Sequence, residues 1–249
     1  MDRRLIAVTG ADAADFLQGL VTNDVHRADG GGLVWSALLT AQGKYLADFF
    51  ILGREGGYWI DAAAAQAEDL TRRLGMYRLR AAVDLAPVEA RVARGTGPAP
   101  DGAVADPRHP ALGWRHYGGG VLEDDGTDWD AIRVEHVIPE TGIELIPNES
   151  FILEAGLERL HGVDFRKGCY VGQEVTARMR HKTELRKGLM QVRVEGEAPL
   201  GTPILMADGR EAGTLYTQSG GRGIAQMRFD RIGPGMKAGD AVVTAEPRG

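Results

Sequence analysis

Apolar and polar residues in the first sixty positions follow two periods, one typical of strands and one typical of helices. The apolar run from Arg4 to Val8 predicts a short strand. Apolar residues then recur with helical spacing over Ala13–Leu20, and Thr9 is placed to cap that helix. The turn sequence Ala41–Lys44 separates two apolar runs, which predicts a β-hairpin. The strands expected after the helix are Leu33–Thr40, Tyr45–Leu52 and Gly57–Ile60.

A second helical pattern follows Asp61, whose side chain can cap the first turn. The two strands predicted after it are Val83–Leu85 and Val88–Ala93. Strand–helix–strand passages interrupted by hairpins are typical of an α+β fold rather than of a doubly wound parallel sheet. The residues expected on the buried side of this helix are Ala63, Ala67, Leu70, Leu74 and Tyr77.

The middle of the chain contains a stretch rich in proline and glycine, followed by two further predicted elements. Residues Arg94–Pro110 contain four prolines and three glycines, which predicts a loop or linker. Alternation over Ala131–Val137 predicts another strand. A helix opened by Asn148 or Ser150 and closed by Gly162 is expected next. The residues that this helix would bury are Leu153, Leu157 and Leu160.

From Gly188 onward, short apolar runs are separated by turns that contain glycine, proline and aspartate. That pattern is typical of a small all-β barrel. We therefore predict two domains, an α+β region over residues 1–183 and a C-terminal β-barrel over residues 184–249. The strands expected in the barrel are Leu189–Val194, Ile204–Met206, Glu211–Thr217, Ile224–Phe229 and Ala241–Ala245.

Composition and charge argue against some classes of function. The net charge of −6 argues against a protein built mainly to bind nucleic acid. No apolar run reaches the ~18 residues of a membrane span, and none of signal-peptide length follows Met1, so a cytoplasmic protein is expected. The charge is uneven, because the stretch 166–187 carries seven basic and two acidic residues.

Cys169 is the one cysteine of the chain, which excludes an internal disulfide and a cluster held by four cysteines of this chain. Nearby positive charge, here from Arg166 and Lys167, stabilises a thiolate. Gly168 and Gly172 bracket the cysteine and permit tight turns. Such a loop suits covalent or metal chemistry. A lone intracellular cysteine is more often a buried small apolar residue, and the neighbours alone leave that alternative open.

Two segments resemble a known family. The string Lys167–Glu174, continued by Val175–Arg178, is similar to the hallmark of the YgfZ family, relatives of the glycine-cleavage T-protein. Phe16–Gly19 and Thr22–Asp24 resemble the N-terminal signature of the same family. With the apolar helix before the motif and the C-terminal barrel, the resemblance covers nearly the whole chain.

The resemblance implies a T-protein-like fold, in which two intertwined α+β subdomains surround a central channel that binds tetrahydrofolate. It also implies a non-enzymatic role in late assembly or repair of four-iron clusters. Cys169 would ligate a cluster transiently, sharing it with an A-type iron–sulfur carrier protein or a client apo-enzyme, and Lys167 would assist. The motif residues carried over with them are Gly168, Tyr170, Gly172, Gln173 and Glu174.

Folate recognition points to two further residues. A pterin requires a carboxylate acceptor, and an anionic glutamate tail requires Arg or Lys. Asp48 resembles the position at which T-proteins carry an acidic residue that faces the folate. Arg178 is the residue expected to bind the glutamate tail. Asp48 equally fits the solvated position of an alternating strand. If Asp48 serves chemistry, the alternative function is that of a tetrahydrofolate-dependent aminomethyltransferase.

The basic stretch 166–187 has three interpretations. It is a solvated face, a dock for folate polyglutamate or an acidic partner, or an RNA contact. The last is the weakest, because Tyr170 is the one aromatic residue available there for base stacking. The six histidines show no metal-ligand spacing, and only His181 lies near enough to the motif to add a cluster ligand.

Overall fold

The chain divides into two compact units, each assembled from separate stretches of sequence. The computed structural model describes residues 2–119, 125–182 and 184–245. The predicted domain boundary at Thr183 lies outside the described residues. Unit 1 comprises residues 1–127, 147–149 and 157–177. Unit 2 comprises residues 128–146, 150–156 and 178–249, so it takes in more than the predicted barrel domain.

The described part of unit 1 contains two antiparallel sheets and two complete α-helices, which confirms the α+β prediction. Its elements are β1 (Arg3–Thr9), α1 (Ala13–Gln18), β2 (Leu33–Leu39), β3 (Tyr45–Arg54), β4 (Gly57–Ala63), α2 (Ala64–Arg78), β5 (Asp84–Val88), β6 (Arg91–Gly95), β7 (Val104–Ala105) and β8 (Trp114–Gly118). The five-stranded sheet has the order β2-β3-β4-β1-β5, and the three-stranded sheet has the order β6-β8-β7. The predicted hairpin is the β2–β3 pair, in which Trp35 lies opposite Phe50.

One face of the five-stranded sheet packs against α1 and α2 to form the core of unit 1. Phe49 and Ile51 of β3 point to this face and are fully buried, as is Leu74 of α2. Successive side chains of a strand point to opposite faces. Asp48 and Phe50 therefore lie on the second face of the sheet, away from the two helices.

The helices of unit 1 begin later than predicted. Thr9 ends β1 instead of capping α1, and α1 begins at Ala13. Asp61 lies inside β4, so α2 begins at Ala64. Tyr77 was expected on the buried face of α2 but is exposed. Helical spacing identifies a face of a helix, but it does not reveal where the surface packed against that face ends.

The described part of unit 2 contains a helix and a closed six-stranded barrel, which confirms the barrel prediction. Helix α4 (Gln173–Lys182) runs across the division between the units. The other elements are α3 (Trp129–His136), β9 (Lys187–Glu195), β10 (Thr202–Leu205), β11 (Glu211–Ser219), β12 (Arg222–Arg228), β13 (Met236–Ala238) and β14 (Ala241–Thr244). The barrel has the order β10-β11-β12-β9-β14-β13, and its interior is filled by side chains such as Val192, Ile204, Leu215 and Met227.

The strand predicted over Ala131–Val137 is wrong, because these residues belong to α3 and its C-terminal cap. The Asp128 carboxylate accepts a hydrogen bond from the amide of Ala131 at 2.9 Å and caps the helix. Val137 ends it with a φ of 50°. An alternation of only a few residues does not separate a strand from a short amphipathic helix, and here the cap decides.

Residues 152–161 form a run of turns where an α-helix was predicted. Leu153, Leu157 and Leu160 are nevertheless buried, as the spacing indicated. The amide of Gly162 closes the run by donating to the carbonyl oxygen of Leu157 at 2.7 Å. None of the helices in the described residues is long and apolar enough to cross a bilayer.

Candidate functional site

Cys169 lies in an irregular loop that leads into α4, and its side chain is exposed. Gly168 and Gly172 have φ values of 102° and 83°, which L side chains rarely adopt. At Gly172 there is also no room for a side chain, because a Cβ atom would lie 2.6 Å from the carbonyl oxygen of Thr40. The loop therefore presents its thiol outward while its second glycine lies against the turn between β2 and β3.

The Lys167 side chain anchors this loop to the end of α1. Its ammonium group donates to the carbonyl oxygen of Gln18 and, at 2.8 Å, to that of Val21. The Gln18 amide donates in return to the Lys167 carbonyl oxygen at 3.3 Å. These bonds place the motif lysine beneath the loop rather than beside the thiol in solvent.

The segment Thr22–Asp24 supports the chain just before the loop. The Thr22 hydroxyl donates to the carbonyl oxygen of Gly162 at 2.7 Å, and the Asn23 amide donates to that of His161 at 2.6 Å. The Asp164 amide donates to the Thr22 carbonyl oxygen at 3.0 Å. The two segments that carry the family resemblance are therefore parts of one structure.

Asp164 is a supporting residue that the sequence analysis missed. Its carboxylate accepts from the Arg27 guanidinium at 2.6 Å and from the Arg166 amide at 2.7 Å. The second contact joins residues two apart and is a local turn that aspartate commonly forms. An aspartate two positions before the basic pair Arg166–Lys167 was the signal available.

Burial lowers the pKa of Lys167 to about 8, while the nearby Asp24, Asp164 and Cys169 oppose that shift. The ammonium nitrogen also lies 5.1 Å from the centre of the Tyr170 ring, within the range of a cation–π contact. The cation is held by backbone carbonyl groups and an aromatic ring.

The remaining motif residues shape the loop. Tyr170 is buried, and that burial raises its pKa to about 12. The Gln173 side-chain amide donates to the carbonyl oxygen of Gly168 at 2.9 Å and closes the loop across the cysteine. Thr176 donates to the carbonyl oxygen of Gly172 at 3.1 Å. Glu174 is exposed in the first turn of α4.

Asp48 is only 6% exposed, so the alternative that it is a solvated strand residue is wrong. Its carboxylate accepts from the indole N–H of Trp35 at 2.9 Å and from the Tyr45 hydroxyl at 2.8 Å. A buried carboxylate among aromatic side chains has the chemical character that pterin recognition requires. Arg178, the other expected folate ligand, is exposed on α4.

The second face of the five-stranded sheet also carries a buried ionic cluster that the sequence analysis missed. Asp61 accepts from Arg115 at 2.9 Å and from the Tyr117 hydroxyl at 3.0 Å. Asp106 accepts from Arg115 at 3.1 Å and binds Arg108 through both its oxygens. Burial opposes ionisation of Asp106, but the two arginines outweigh it and lower the pKa of that carboxyl to about 2. These residues come from separate strands and loops, so no local sequence pattern predicts that they form a cluster.

Within the described part of the chain, no group of three or more His, Cys, Asp and Glu side chains is arranged to hold a metal ion. His181 is exposed on α4, and its suggested role as a cluster ligand stays a prediction. The expectation that Cys169 shares the ligands of a metal with another molecule stays a prediction.

Comparison with known proteins identifies the family to which the chain belongs. Residues 186–248 match the CAF17 C-terminal β-barrel domain. The human mitochondrial iron–sulfur cluster assembly factor IBA57 is 31% identical, and the alignment covers 92% of this chain and 76% of that protein. The corresponding mouse protein is 30% identical with the same coverage. The homologue from Pyricularia oryzae is 34% identical over 76% of this chain, but the chain spans only about half of it, 54%.

The fold itself matches the glycine cleavage system aminomethyltransferase T of Bartonella henselae, with a TM-score of 0.74 over 98% of this chain and 83% of that one. The sequence identity is 15%, so this likeness concerns the fold, and it confirms the T-protein-like architecture. The relatives in sequence are named as mitochondrial proteins, which contradicts the predicted cytoplasmic location. Because it matches relatives of 30% and 31% identity over about three quarters of their length, the chain belongs to the IBA57 family of iron–sulfur cluster assembly factors.

Proposed function

We propose that this protein is an accessory factor in the assembly or repair of four-iron clusters and acts through the thiol of Cys169. The observation that carries the proposal is an exposed lone thiol on a glycine-bracketed loop whose base is held by Lys167. The names of the sequence relatives support the same biological role. The cluster is then cargo that the protein handles, not a resident cofactor.

The single cysteine defines how the cargo would be held. Iron–sulfur clusters are ligated mainly by thiolates, and one thiolate does not retain a cluster by itself. Cys169 therefore contributes one ligand at an interface, and an A-type carrier protein or a client apo-enzyme contributes the others. The bonds made by Lys167 and Gln173 keep the loop in shape while the thiol faces the partner.

We further propose that tetrahydrofolate or a derivative binds this protein, with Asp48 near the pterin and Arg178 near the glutamate tail. The buried carboxylate of Asp48, oriented by Trp35 and Tyr45, supports the first contact. A bound reduced folate would supply a one-carbon carrier. Calorimetric titration with tetrahydrofolate tests the proposal, because Asp48→Asn should weaken binding about tenfold or more. Unchanged affinity would remove Asp48 from the site.

The YgfZ-type assignment within this broader kinship rests on the motif Lys167–Glu174 and stays a prediction. It requires folate binding and dependence on the motif cysteine together. A protein that depends on Cys169 but has no affinity for folate would retain the assembly role and lose the YgfZ-type assignment.

The alternative is a one-carbon transferase resembling the aminomethyltransferases. The burial of Asp48 favours it, since an acid near the folate nitrogens can assist such a transfer. Formation of methylene-tetrahydrofolate from an aminomethyl donor by the purified protein, lost in Asp48→Asn and retained in Cys169→Ala, would establish the enzyme and displace the assembly role.

Genetic complementation tests the main proposal. The gene is deleted and restored as wild type, Cys169→Ala, Cys169→Ser or the surface control Leu200→Ser, and a four-iron enzyme is assayed beside a two-iron enzyme. We expect only the four-iron enzyme to fail in the deletion, and only wild type and the control to restore it. Full restoration by Cys169→Ala would refute the thiol mechanism.

A further inference from the structure

The C-terminal end of α2 exposes a group of large apolar side chains. Met76 is 57% exposed, Tyr77 42% and Leu79, the residue after the helix, 89%. One turn earlier, Leu74 is completely buried. Large apolar side chains exposed singly are ordinary, but a contiguous group on the surface of a folded protein commonly marks an interaction site.

The backbone at Leu79 is held in a conformation that leucine rarely adopts. Its φ is 43° and its ψ is −104°, at the position after a helix where glycine is the usual residue. Because the Leu79 side chain is largely exposed, its burial does not offset this strain. Such outliers cluster at functional sites.

The residues next to Leu79 in the sequence are basic, although the Asp12 carboxylate lies at the Ala82 amide and Asp84 lies beside Arg78. Arg78 and Arg80 flank Leu79, and residues 70–83 contain no acidic side chain. Arg78 lies 3.7 Å from the exposed Asp84, whereas Arg80 is exposed and makes no ion pair with any described residue. We call Met76, Tyr77, Leu79 and Arg80 the α2-terminal patch. Its apolar centre and positive rim are complementary to a protein surface with an apolar centre and acidic rim.

The chain just beyond the patch is tied to the element that carries the cysteine loop. The Ala82 amide donates to the Asp12 carboxylate at 2.7 Å, at the start of α1. At the other end of α1, Gln18 and Lys167 bind each other. A six-residue helix is about 9 Å long. The patch and the thiol loop are thus attached to opposite ends of one short helix within unit 1.

We propose that the α2-terminal patch is the docking surface for the acidic face of an A-type iron–sulfur carrier protein, which rests on the function proposed above. The apolar side chains provide the buried centre of the contact. Arg80 provides charge complementarity and therefore a dependence on salt. Helix α1 connects the patch to the loop that carries Cys169.

Binding of a purified A-type carrier protein tests this, measured by biolayer interferometry at 50 and 300 mM NaCl. We expect the double variant Leu79→Ser, Arg80→Glu to raise Kd at least about tenfold, and the wild-type Kd to rise with salt. The matched controls are Leu200→Ser and Lys237→Glu in unit 2, which change an exposed leucine and an exposed cation elsewhere. Both should keep Kd within about twofold of wild type.

The variant Leu79→Gly separates docking from folding. Glycine relieves the positive φ, so we expect Tm to rise while Kd also rises. A lower Tm with unchanged Kd would make Leu79 a structural residue and overturn the proposal, as would equal binding by the double variant. A shift of oligomeric state in the double variant would identify a contact between two copies instead and would also overturn it. If wild type does not bind the carrier, the partner assignment of the proposed function fails and the docking surface fails with it.

Discussion

Lys167 and Gln18 bind each other reciprocally across 149 positions of sequence. The lysine ammonium donates to the glutamine carbonyl oxygen, and the glutamine amide donates to the lysine carbonyl oxygen. The position of the motif Lys167–Glu174 thus depends on Gln18, which belongs to the N-terminal segment Phe16–Gly19. Contacts of this kind make the loop geometry a property of unit 1 and not of the motif alone.

Removing the Lys167 anchor should destabilise the protein. In Lys167→Ala, the carbonyl groups of Gln18 and Val21 lose their shared donor, and a partly buried acceptor left unsatisfied costs about 1–3 kcal/mol. Urea unfolding at pH 7 measures the loss. Lys237→Ala, an exposed lysine in the barrel, serves as the control and should change little. Equal stability of Lys167→Ala and wild type would show that the anchor is not structural.

The contribution of Lys167 should also vary with pH. Its pKa is about 8 in the folded protein against an ordinary value of 10.5, because burial disfavours the charged form. Between these values the unfolded chain binds more protons, so wild-type stability rises with pH relative to Lys167→Met. Urea unfolding of both proteins at pH 7, 8, 9 and 10 should show the difference moving in favour of wild type above pH 8. A constant difference over that range would contradict the assignment.

Gly172 and Gly168 offer a matched pair of substitutions. Both have positive φ, which costs about 1–2 kcal/mol for an alanine. A Cβ at Gly172 would in addition lie 2.6 Å from the Thr40 carbonyl oxygen, whereas nothing lies within 4 Å at Gly168. Gly172→Ala should therefore lower Tm clearly more than Gly168→Ala. Equal Tm values would mean that the β2–β3 turn shifts to accommodate the added methyl group.

The buried cluster around Asp106 should stabilise the protein far more than a similar pair on the surface. Asp106→Asn breaks a buried ion pair with Arg108 and Arg115, which typically costs about 3–5 kcal/mol. Asp208 pairs with Arg210 at the same spacing but is exposed, so Asp208→Asn should have little effect. Chemical unfolding at pH 7 compares the two variants.

The same cluster predicts sensitivity to acid. The pKa of Asp106 is about 2 in the folded protein and 3.8 ordinarily, so its contribution is present above pH 4 and is lost as pH falls through 2. The stability difference between wild type and Asp106→Asn should shrink over that window. A difference that stays constant from pH 5 to pH 2 would contradict the charge assignment.

Local sequence patterns account for much of the fold that was predicted correctly. The β2–β3 hairpin and the C-terminal barrel follow from alternation and turn residues, which act over a few positions. The glycine-bracketed loop around Cys169 also followed from the sequence, since Gly168 and Gly172 favour turns, whereas the exposure of its thiol did not. The misjudged strand at Ala131–Val137 shows the limit, because a short amphipathic pattern fits either period and the Asp128 cap decides.

By itself, the sequence determined most of the strands, the motif around Cys169 and the relation to iron–sulfur assembly factors, because these depend on residues close together in the chain. Only the tertiary structure decided that Tyr77 and Leu79 face solvent, that Asp48 is buried by Trp35 and Tyr45, and that Lys167 binds Gln18. Burial and charge pairing depend on which distant segments meet. Spacing along a helix or strand records the face on which a side chain lies, but not what lies opposite that face.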